Sequence, residues 1–575
     1  MEKIQQTYLA NLRKMMAEQD IHTVIISGTD PHQSELPPAH WRDREWLTAF
    51  WSTNGTNGTA VVTPDKALCW TDSRYFLQAT EQLKGTGFEM MEEDGPNAVN
   101  LVDWVTENTP ADKTVAIDGT TFSIAQAQRM EQEFTDNKIR FRTDFAPFDI
   151  LNPERPERPM NKLFIHDENI AGETVDSKAT RVMAEVKAEM ANAIMLSSLD
   201  DIAWCTNLRA AEDICYSPIF VSYLFLSDEQ RILFIDEPKL TDEVKAHLDK
   251  YRIEVKPYES VFDFVRSLGG ATRLLLDPAK TSRALYDNLR CTPVFGGAGV
   301  AKLKSIKNEC QIKSLDKAME KDGVALTRFF MMVEKEVPSG KLTEVELGRR
   351  LRALRLSDPD CVDESFSPIL GFNGHGAIVH YEATPETDIT RTVAIGTPSQ
   401  AMKHDFTLVM KGHIALARAV FPVGTTGHQL DVLARQFLWA EGKAYYHGTG
   451  HGVGFFINCH EGPQNIRLNE NPTPLEPGMI TSNEPGIYLA DRYGVRCENL
   501  IETVPAMTTE FGQFLKFRTT TLFPFDLSLF ETAIMTDEEI DWLNDYHAMV
   551  RARLLPLLNE EEGEWLTRKT QPLTR

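Results

Sequence analysis

The run His447-Gly448-Thr449-Gly450-His451-Gly452-Val453-Gly454 sets two histidines four residues apart among four glycines, ahead of Asn483-Glu484-Pro485-Gly486 and Arg496-Cys497-Glu498-Asn499. Imidazoles and carboxylates gathered in this way can hold a metal ion. Glycine at every other position disfavours a regular helix, so the histidines are not the i, i+4 pair of a helical zinc site. The run predicts a loop or strand that brings backbone close to a ligand, with the chemistry built on a sheet. Eight of the fourteen histidines fall between His375 and His460, and Pro485 holds Glu484 extended by restricting the residue before it. One imidazole with several carboxylates and no thiolate is a harder donor set than structural zinc prefers. It suits manganese first, then cobalt, iron or catalytic zinc. A glutamate standing alone would read as a solvated surface residue; the clustering is what makes a site.

The elements that must position these groups are those of a soluble multidomain chain. Its 575 residues favour three or four domains, and 42% hydrophobic with 25% charged residues is ordinary for a protein with large cores. Sixty basic against 84 acidic residues give a net charge of −24, which opposes binding to nucleic acid or to an anionic membrane. The eight cysteines include no Cys-x-x-Cys pair and do not form a disulfide scaffold. Cys497, between Arg496 and Glu498 on a predicted strand, should point away from both and serve as a core thiol. Met1 to Asp20 is an amphipathic helix candidate without an apolar signal core, and no segment has the apolar length of a membrane span, so a cytoplasmic location is expected.

Asn152-Pro153-Glu154-Arg155-Pro156-Glu157-Arg158-Pro159 carries three prolines in eight residues and predicts a linker. Before it, 1–155 reads as an α/β domain with buried strands at Thr23–Ile26 and Thr59–Thr63. After it, 160–304 repeats the alternation, with a predicted helix from Val182 to Asp200 and strands at Leu224–Leu226 and Arg231–Ile235. From Ile312, the residues Leu315, Met319, Leu326, Phe330 and Val333 form one apolar helical stripe and open a third domain, 305–575. A second helix is predicted from Lys403 to Phe421, ended by Pro422, with His413 on its apolar face as a core residue rather than a site residue. An extension from about residue 505 ends in a helix from Asp537 to Leu555, whose apolar side should pack on the third domain or on a partner subunit.

His380 in Ala377-Ile378-Val379-His380-Tyr381, Asp388 in Asp388-Ile389-Thr390-Arg391-Thr392, the HGTGHGVG run, His460 in Cys459-His460-Glu461-Gly462, Glu484 and Glu498 together resemble the signature of aminopeptidase P. This is the Xaa-Pro aminopeptidase branch of the pita-bread (M24) metallopeptidases. Gly58-Thr59-Ala60-Val61-Val62 with Trp70-Thr71-Asp72-Ser73-Arg74-Tyr75-Phe76, and Leu199-Asp200-Asp201-Ile202-Ala203-Trp204 with Asn207-Leu208-Arg209, resemble that family's first and second, creatinase-like domains. The resemblance covers nearly the whole chain. It implies an α/β (α+β) fold of two similar N-terminal domains and a pita-bread catalytic domain, acting as a homodimer on peptides with proline at the second position. It further implies Asp388, His451, Glu484 and Glu498 as ligands of Mn2+, with Zn2+ or Co2+ as alternatives, in a centre that is dinuclear in the family. Glu484 would accept the proton of the attacking water, His380 and His460 would be catalytic and bind substrate, His447 would line the substrate pocket, and Arg496 would hold Glu498 in place.

The chain departs from the family at one place. Members normally carry, between the segment resembling Ala383-Thr384-Pro385-Glu386-Thr387 and the one resembling Asp388-Ile389-Thr390-Arg391, a strand and turn with an Asp-Ser-Gly motif whose aspartate is a metal ligand. Here the two segments abut, so that a strand of about five or six residues and its turn are missing. One expected consequence is a stripped second metal position, leaving one ion. Another is a strand from Asp388 without its hairpin neighbour, its backbone groups unpaired. The gap is either a natural deletion that weakens a metallo-aminopeptidase or a segment dropped from the sequence. The rival function is a catalytically inactive pita-bread protein that binds peptides or partner proteins, and a creatine- or proline-dipeptide-specific relative is weaker because those lack the first two domains as arranged here.

Overall fold

The computed structural model describes residues 2–51, 58–95, 97–296, 299–365, 370–377 and 388–575. The chain divides into two compact units, Met1–His166 with Glu173–Val300, and Asp167–Gly172 with Ala301–Arg575.

The first unit contains two six-stranded sheets built on one plan. Thr23–Ile26, β-branched and buried throughout, occupies an interior place in the first. It pairs antiparallel with Thr59–Val62 on one side and parallel with Thr114–Ala116 on the other. Ala67–Thr71 and Glu89–Glu92 extend the first side, and Arg140–Arg142 extends the second. In the second sheet Ala193–Leu196 takes the same central place, flanked by Tyr223–Ser227, Arg231–Phe234 and Ile253–Lys256 on one side and by Arg273–Leu276 and Thr292–Phe295 on the other. The alternation of parallel and antiparallel pairs is identical in the two sheets. The predicted helix from Val182 to Asp200 is corrected here. A helix runs over Val175–Ala188, Met190 turns the chain at φ 57°, Ala193–Leu196 is a buried strand, and a new helix spans Leu199–Thr206. A short apolar run buried on both faces has no period that separates strand from helix.

The second unit is built on a six-stranded antiparallel sheet in the order Val420–Pro422, Gly512–Thr519, Asn499–Thr509, Ile480–Asn483, Gly450–Val453, His460–Ile466. The helix Glu309–Glu336 starts at a capping box between Asn308 and Gln311 and buries Leu326, Phe329 and Val333. The helix predicted to Phe421 ends instead at Ala417, and Val420-Phe421-Pro422 becomes an edge strand against Lys516, Leu515 and Phe514. Proline is tolerated there because an edge strand can lack one donor. The helix Asp537–Leu554, capped by Thr536, buries Leu543, Tyr546, Val550 and Leu554 in one core with Phe406, Val409 and Ile414. The terminal extension therefore packs on the helix Gln400–Ala417 of the same unit. None of the described helices is long and apolar enough to cross a membrane.

Candidate metal centre

His451 sits on the strand Gly450–Val453, between Ile480–Asn483 and His460–Ile466. The glycines on either side let the neighbouring strands approach closely. A Cβ at Gly450 would lie 1.9 Å from the Ser482 carbonyl oxygen, and one at Gly452 would lie 2.0 Å from that of Glu461. Glu484 follows directly on Ile480–Asn483, and its backbone N–H donates to the Thr449 carbonyl at 2.8 Å. Glu498 lies in the short connection between Tyr493–Arg496 and Asn499–Thr509.

Asp388 opens a segment that forms no strand before Ser399, so the expected strand is corrected, but its groups are not left without partners. The Thr390 carbonyl accepts from the Glu498 N–H at 3.1 Å, the Thr392 hydroxyl oxygen accepts from the Arg496 N–H at 3.2 Å, and the Ala394 N–H donates to Asp526 at 2.9 Å. Arg391 secures the segment from below, donating to the carbonyls of Phe523 and Pro524, to Asn499 and to the Tyr546 hydroxyl.

These connections bring Asp388, His451, Glu484 and Glu498 together. His451 Nε2 is 3.4 Å from Asp388 Oδ2 and 3.6 Å from Glu484 Oε1. His451 Nδ1 donates to its neighbour's carbonyl, Gly452 O, at 2.9 Å, which fixes the tautomer and leaves the Nε2 lone pair facing the carboxylates. Asp388, His451 and Glu498 offer ligand atoms within 4.8 Å of one another. Asp388 Oδ2 and Glu498 Oε1 are buried without a hydrogen bond among the described residues, a costly arrangement unless something positive meets them. Burial, then Asp388 and Glu484, push the Glu498 carboxyl well above its ordinary range. Burial also raises Glu484, outweighing the downward pull of His451 and Arg496, and Asp388 adds a smaller push upward. Like-charged oxygens that resist ionising side by side are what a divalent cation would hold together, so the donor set fits such an ion.

The other residues singled out in the sequence are placed as follows. His447 Nε2 accepts from the Tyr488 hydroxyl at 2.9 Å while its Nδ1 meets the Gly448 carbonyl at 2.8 Å. The His460 ring stands at 88° to that of His451, 4.3 Å between centroids. Arg496 reaches Glu498 through Thr390: its Nε donates to the Thr390 hydroxyl, which donates to Glu498 Oε2, both at 2.8 Å. Burial works against the charged guanidinium, yet Tyr488, Glu498 and Glu484 hold its pKa above the ordinary value. His380 lies outside the described residues. His413 is fully buried, hydrogen-bonded to the Cys497 carbonyl at 3.2 Å and pushed down to about 3 by burial and then by Arg391; it is a core residue. Cys497 is a fully buried core thiol, as expected, although it stands between strands rather than on one.

Sequence reasoning missed Thr390, Tyr488 and Ser482, whose hydroxyl accepts from the His451 N–H at 3.0 Å and donates to Glu484 at 3.2 Å. Only Thr390 gave a signal, standing two residues beyond Asp388. It also missed a thiol: Asp388, Cys459 and His460 form a second group of donors within 4.8 Å of one another.

Comparison with known proteins gives a consistent picture. Residues 9–146 and 154–311 match families described as Creatinase/Prolidase N-terminal domain, 385–504 match Metallopeptidase family M24, and 513–573 match the C-terminal region of peptidase_M24. The chain is 35% identical to Aminopeptidase P2 of Arabidopsis thaliana, over 99% of this chain and 88% of that one. It is 33% identical to Xaa-Pro aminopeptidase 1 of Dictyostelium discoideum, over 98% and 96%. Among solved structures it is similar to an X-prolyl aminopeptidase from Caenorhabditis elegans, described as a cytosolic enzyme with a di-nuclear active site, at 29% identity, TM-score 0.92, and 99% and 100% coverage.

Proposed function

We propose, because this chain belongs to the Xaa-Pro aminopeptidase family of M24 metallopeptidases, that it removes the first residue from peptides with proline in second position. The observation that carries the reading is the convergence of Asp388, His451 and Glu498 around two buried carboxylate oxygens that make no hydrogen bond. In this reading Asp388, His451, Glu484 and Glu498 hold a divalent cation, manganese first, with zinc or cobalt as alternatives. Such an ion, when bound, polarises the scissile carbonyl and makes water ionisable near neutral pH.

The chain's own groups do the rest. An Xaa-Pro bond lacks the N–H by which a substrate strand is normally registered, so side chains must recognise it. His447, braced by Tyr488, would line that pocket, and the family resemblance gives His380 a part in binding and catalysis. Glu484, oriented by the Ser482 hydroxyl, takes the proton of the attacking water. His460, edge-on to His451, stands beside the reacting carbonyl. Arg496 and Thr390 keep Glu498 aimed inward.

We further infer three domains, 1–155, 160–304 and 305–575, with support from two sheets of one plan and a third of another. Absence of the Asp-Ser-Gly segment is read from the sequence, in which Thr387 runs directly into Asp388. Its loss would leave the carboxylate set with one ion and slow turnover. The eight thiols without a disulfide among them and the cytosolic C. elegans structure support a cytoplasmic location. Homodimerisation rests on the family resemblance, and the exposed Phe511 on the hairpin between Asn499–Thr509 and Gly512–Thr519 offers an apolar contact for it.

The test is release of the N-terminal residue from an Xaa-Pro-Xaa peptide by the full chain, with and without added Mn2+. Release that depends on the ion and disappears in His451→Ala supports the reading. No release by protein that has taken up manganese, cobalt or zinc overturns it in favour of a peptide- or protein-binding role.

A further inference from the structure

We infer that Asp388, Cys459 and His460 form a second divalent-cation site, one that selects zinc and shares Asp388 with the His451 and Glu498 set. The inference rests on the reading above, because Asp388 is common to both.

The sheet produces this juxtaposition. His460 begins the strand that pairs with Gly450–Val453, opposite Val453, and the register shifts between His451 and Val453. That irregularity turns the start of the strand over the His451 ring, so the two imidazoles touch edge to face. Cys459, 8% exposed, lies immediately before the strand and so arrives with His460. The Gly454 N–H, which donates to the Asn458 carbonyl at 3.1 Å, closes the intervening turn. The sulfur, an imidazole nitrogen and a carboxylate oxygen of Asp388 then fall within 4.8 Å of one another. Asp388 Oδ2, which also lies 3.4 Å from His451 Nε2, is buried without a hydrogen bond on a side chain only 7% exposed.

Thiolate, imidazole and carboxylate with an open fourth position make up the donor count of a catalytic-type zinc site. At ordinary zinc–ligand lengths, tetrahedral donors sit about 3.5 Å apart, so the 4.8 Å bound needs only small rotamer adjustments. The thiolate separates this site from its neighbour: sulfur favours zinc over manganese, whereas a histidine with three carboxylates favours the harder ion. As the sulfur donates a lone pair to zinc, the thiol proton passes to solvent. His460 is then a ligand through one nitrogen, and Asp388 presents its two oxygens to two ions.

Full-length protein stripped by chelator and saturated with Zn2+ alone tests this by metal counting and zinc X-ray absorption. Two zinc ions per chain and a zinc–sulfur distance of about 2.3 Å, at about half a sulfur per zinc, are expected. Cys459→Ser should lose the sulfur signal and one ion, and Glu498→Gln should keep the sulfur signal. Zinc bound by the wild type without sulfur overturns this inference and leaves the aminopeptidase reading standing. No bound zinc overturns this inference and leaves the manganese reading to the peptide-release test, and a sulfur signal that persists in Cys459→Ser assigns the thiolate to another residue and overturns this site. Circular dichroism establishes that each variant is folded, and absence of a zinc–sulfur signal in the wild type overturns the site without them.

Discussion

Glu498 is held by a relay rather than by a direct ion pair alone, and Thr390 is its middle member. The hydroxyl receives a hydrogen bond from Arg496 and gives one to Glu498 Oε2, which leaves Oε1 free of hydrogen bonds for a ligand. Thr390→Val keeps the shape and removes both bonds. A partner of this kind usually costs about 10–100-fold in metal affinity or activity when lost. We expect a weakening of that size in Mn2+ affinity measured by calorimetry, with Thr390→Ser close to wild type. An unchanged affinity in Thr390→Val would mean that Arg496 acts on Glu498 without the relay. Tyr488 performs a similar service at the other end of Arg496, joining it at 3.3 Å and meeting His447 at 2.9 Å.

At the scale of elements, the centre depends on three strands lying closer than side chains allow. Gly452 faces the Glu461 carbonyl and Gly450 that of Ser482, so the histidine strand is wedged between its neighbours and His451 is fixed to within a rotamer. Gly452→Ala would place a methyl carbon 2.0 Å from the Glu461 oxygen. The strands must separate, at a cost of about 1–3 kcal/mol for overpacking of this kind. A lower melting temperature together with weaker metal binding is the expected pair of results; loss of stability with metal affinity intact would show that His451 is positioned by its tautomer bond alone. The helix Asp537–Leu554 supports the same arrangement from beneath, since Tyr546 donates to the Phe523 carbonyl at 2.8 Å and meets Arg391 at 3.0 Å.

Across the whole molecule, acid should undo the C-terminal core before the metal ligands are considered. His413 and His547 are fully buried, and burial followed by Arg391 lowers each from 6.5 to about 3. In the unfolded chain both regain ordinary values and bind protons that the folded state refuses. Their contribution to stability is therefore complete above about pH 6.5 and is lost as pH falls from there toward 3, at roughly 1.4 kcal/mol per pH unit for each histidine. Urea unfolding monitored through Trp542, whose ring lies 5.9 Å from His413, should show a midpoint that drops between pH 6.5 and 4.5. His547→Gln should flatten that dependence, and an equal slope in the variant would remove His547 from the account. The net charge of −24 acts in the opposite sense, since its self-repulsion eases as carboxylates are protonated.

The sequence alone determined which residues gather and what chemistry they can do. Donor types and their clustering in one region are local facts, so His451, Glu484 and Glu498 were legible as candidate ligands, His413 and Cys497 as core, and the two α/β segments as repeats of one plan. Its α/β alternation and linker were equally readable, because hydrophobic period and proline act over a few residues. Only the tertiary structure decided that Thr390 stands between Arg496 and Glu498, that glycines 450 and 452 answer to neighbouring carbonyls, and that Cys459 reaches Asp388. Each of these joins positions separated by many residues through sheet register, a β-irregularity or a turn. A one-residue shift in pairing would reverse every face involved, and nothing in the order of residues states which shift is taken. For the same reason Ala193–Leu196 was read as helix: a run buried on both sides shows its geometry only once its neighbours are in place.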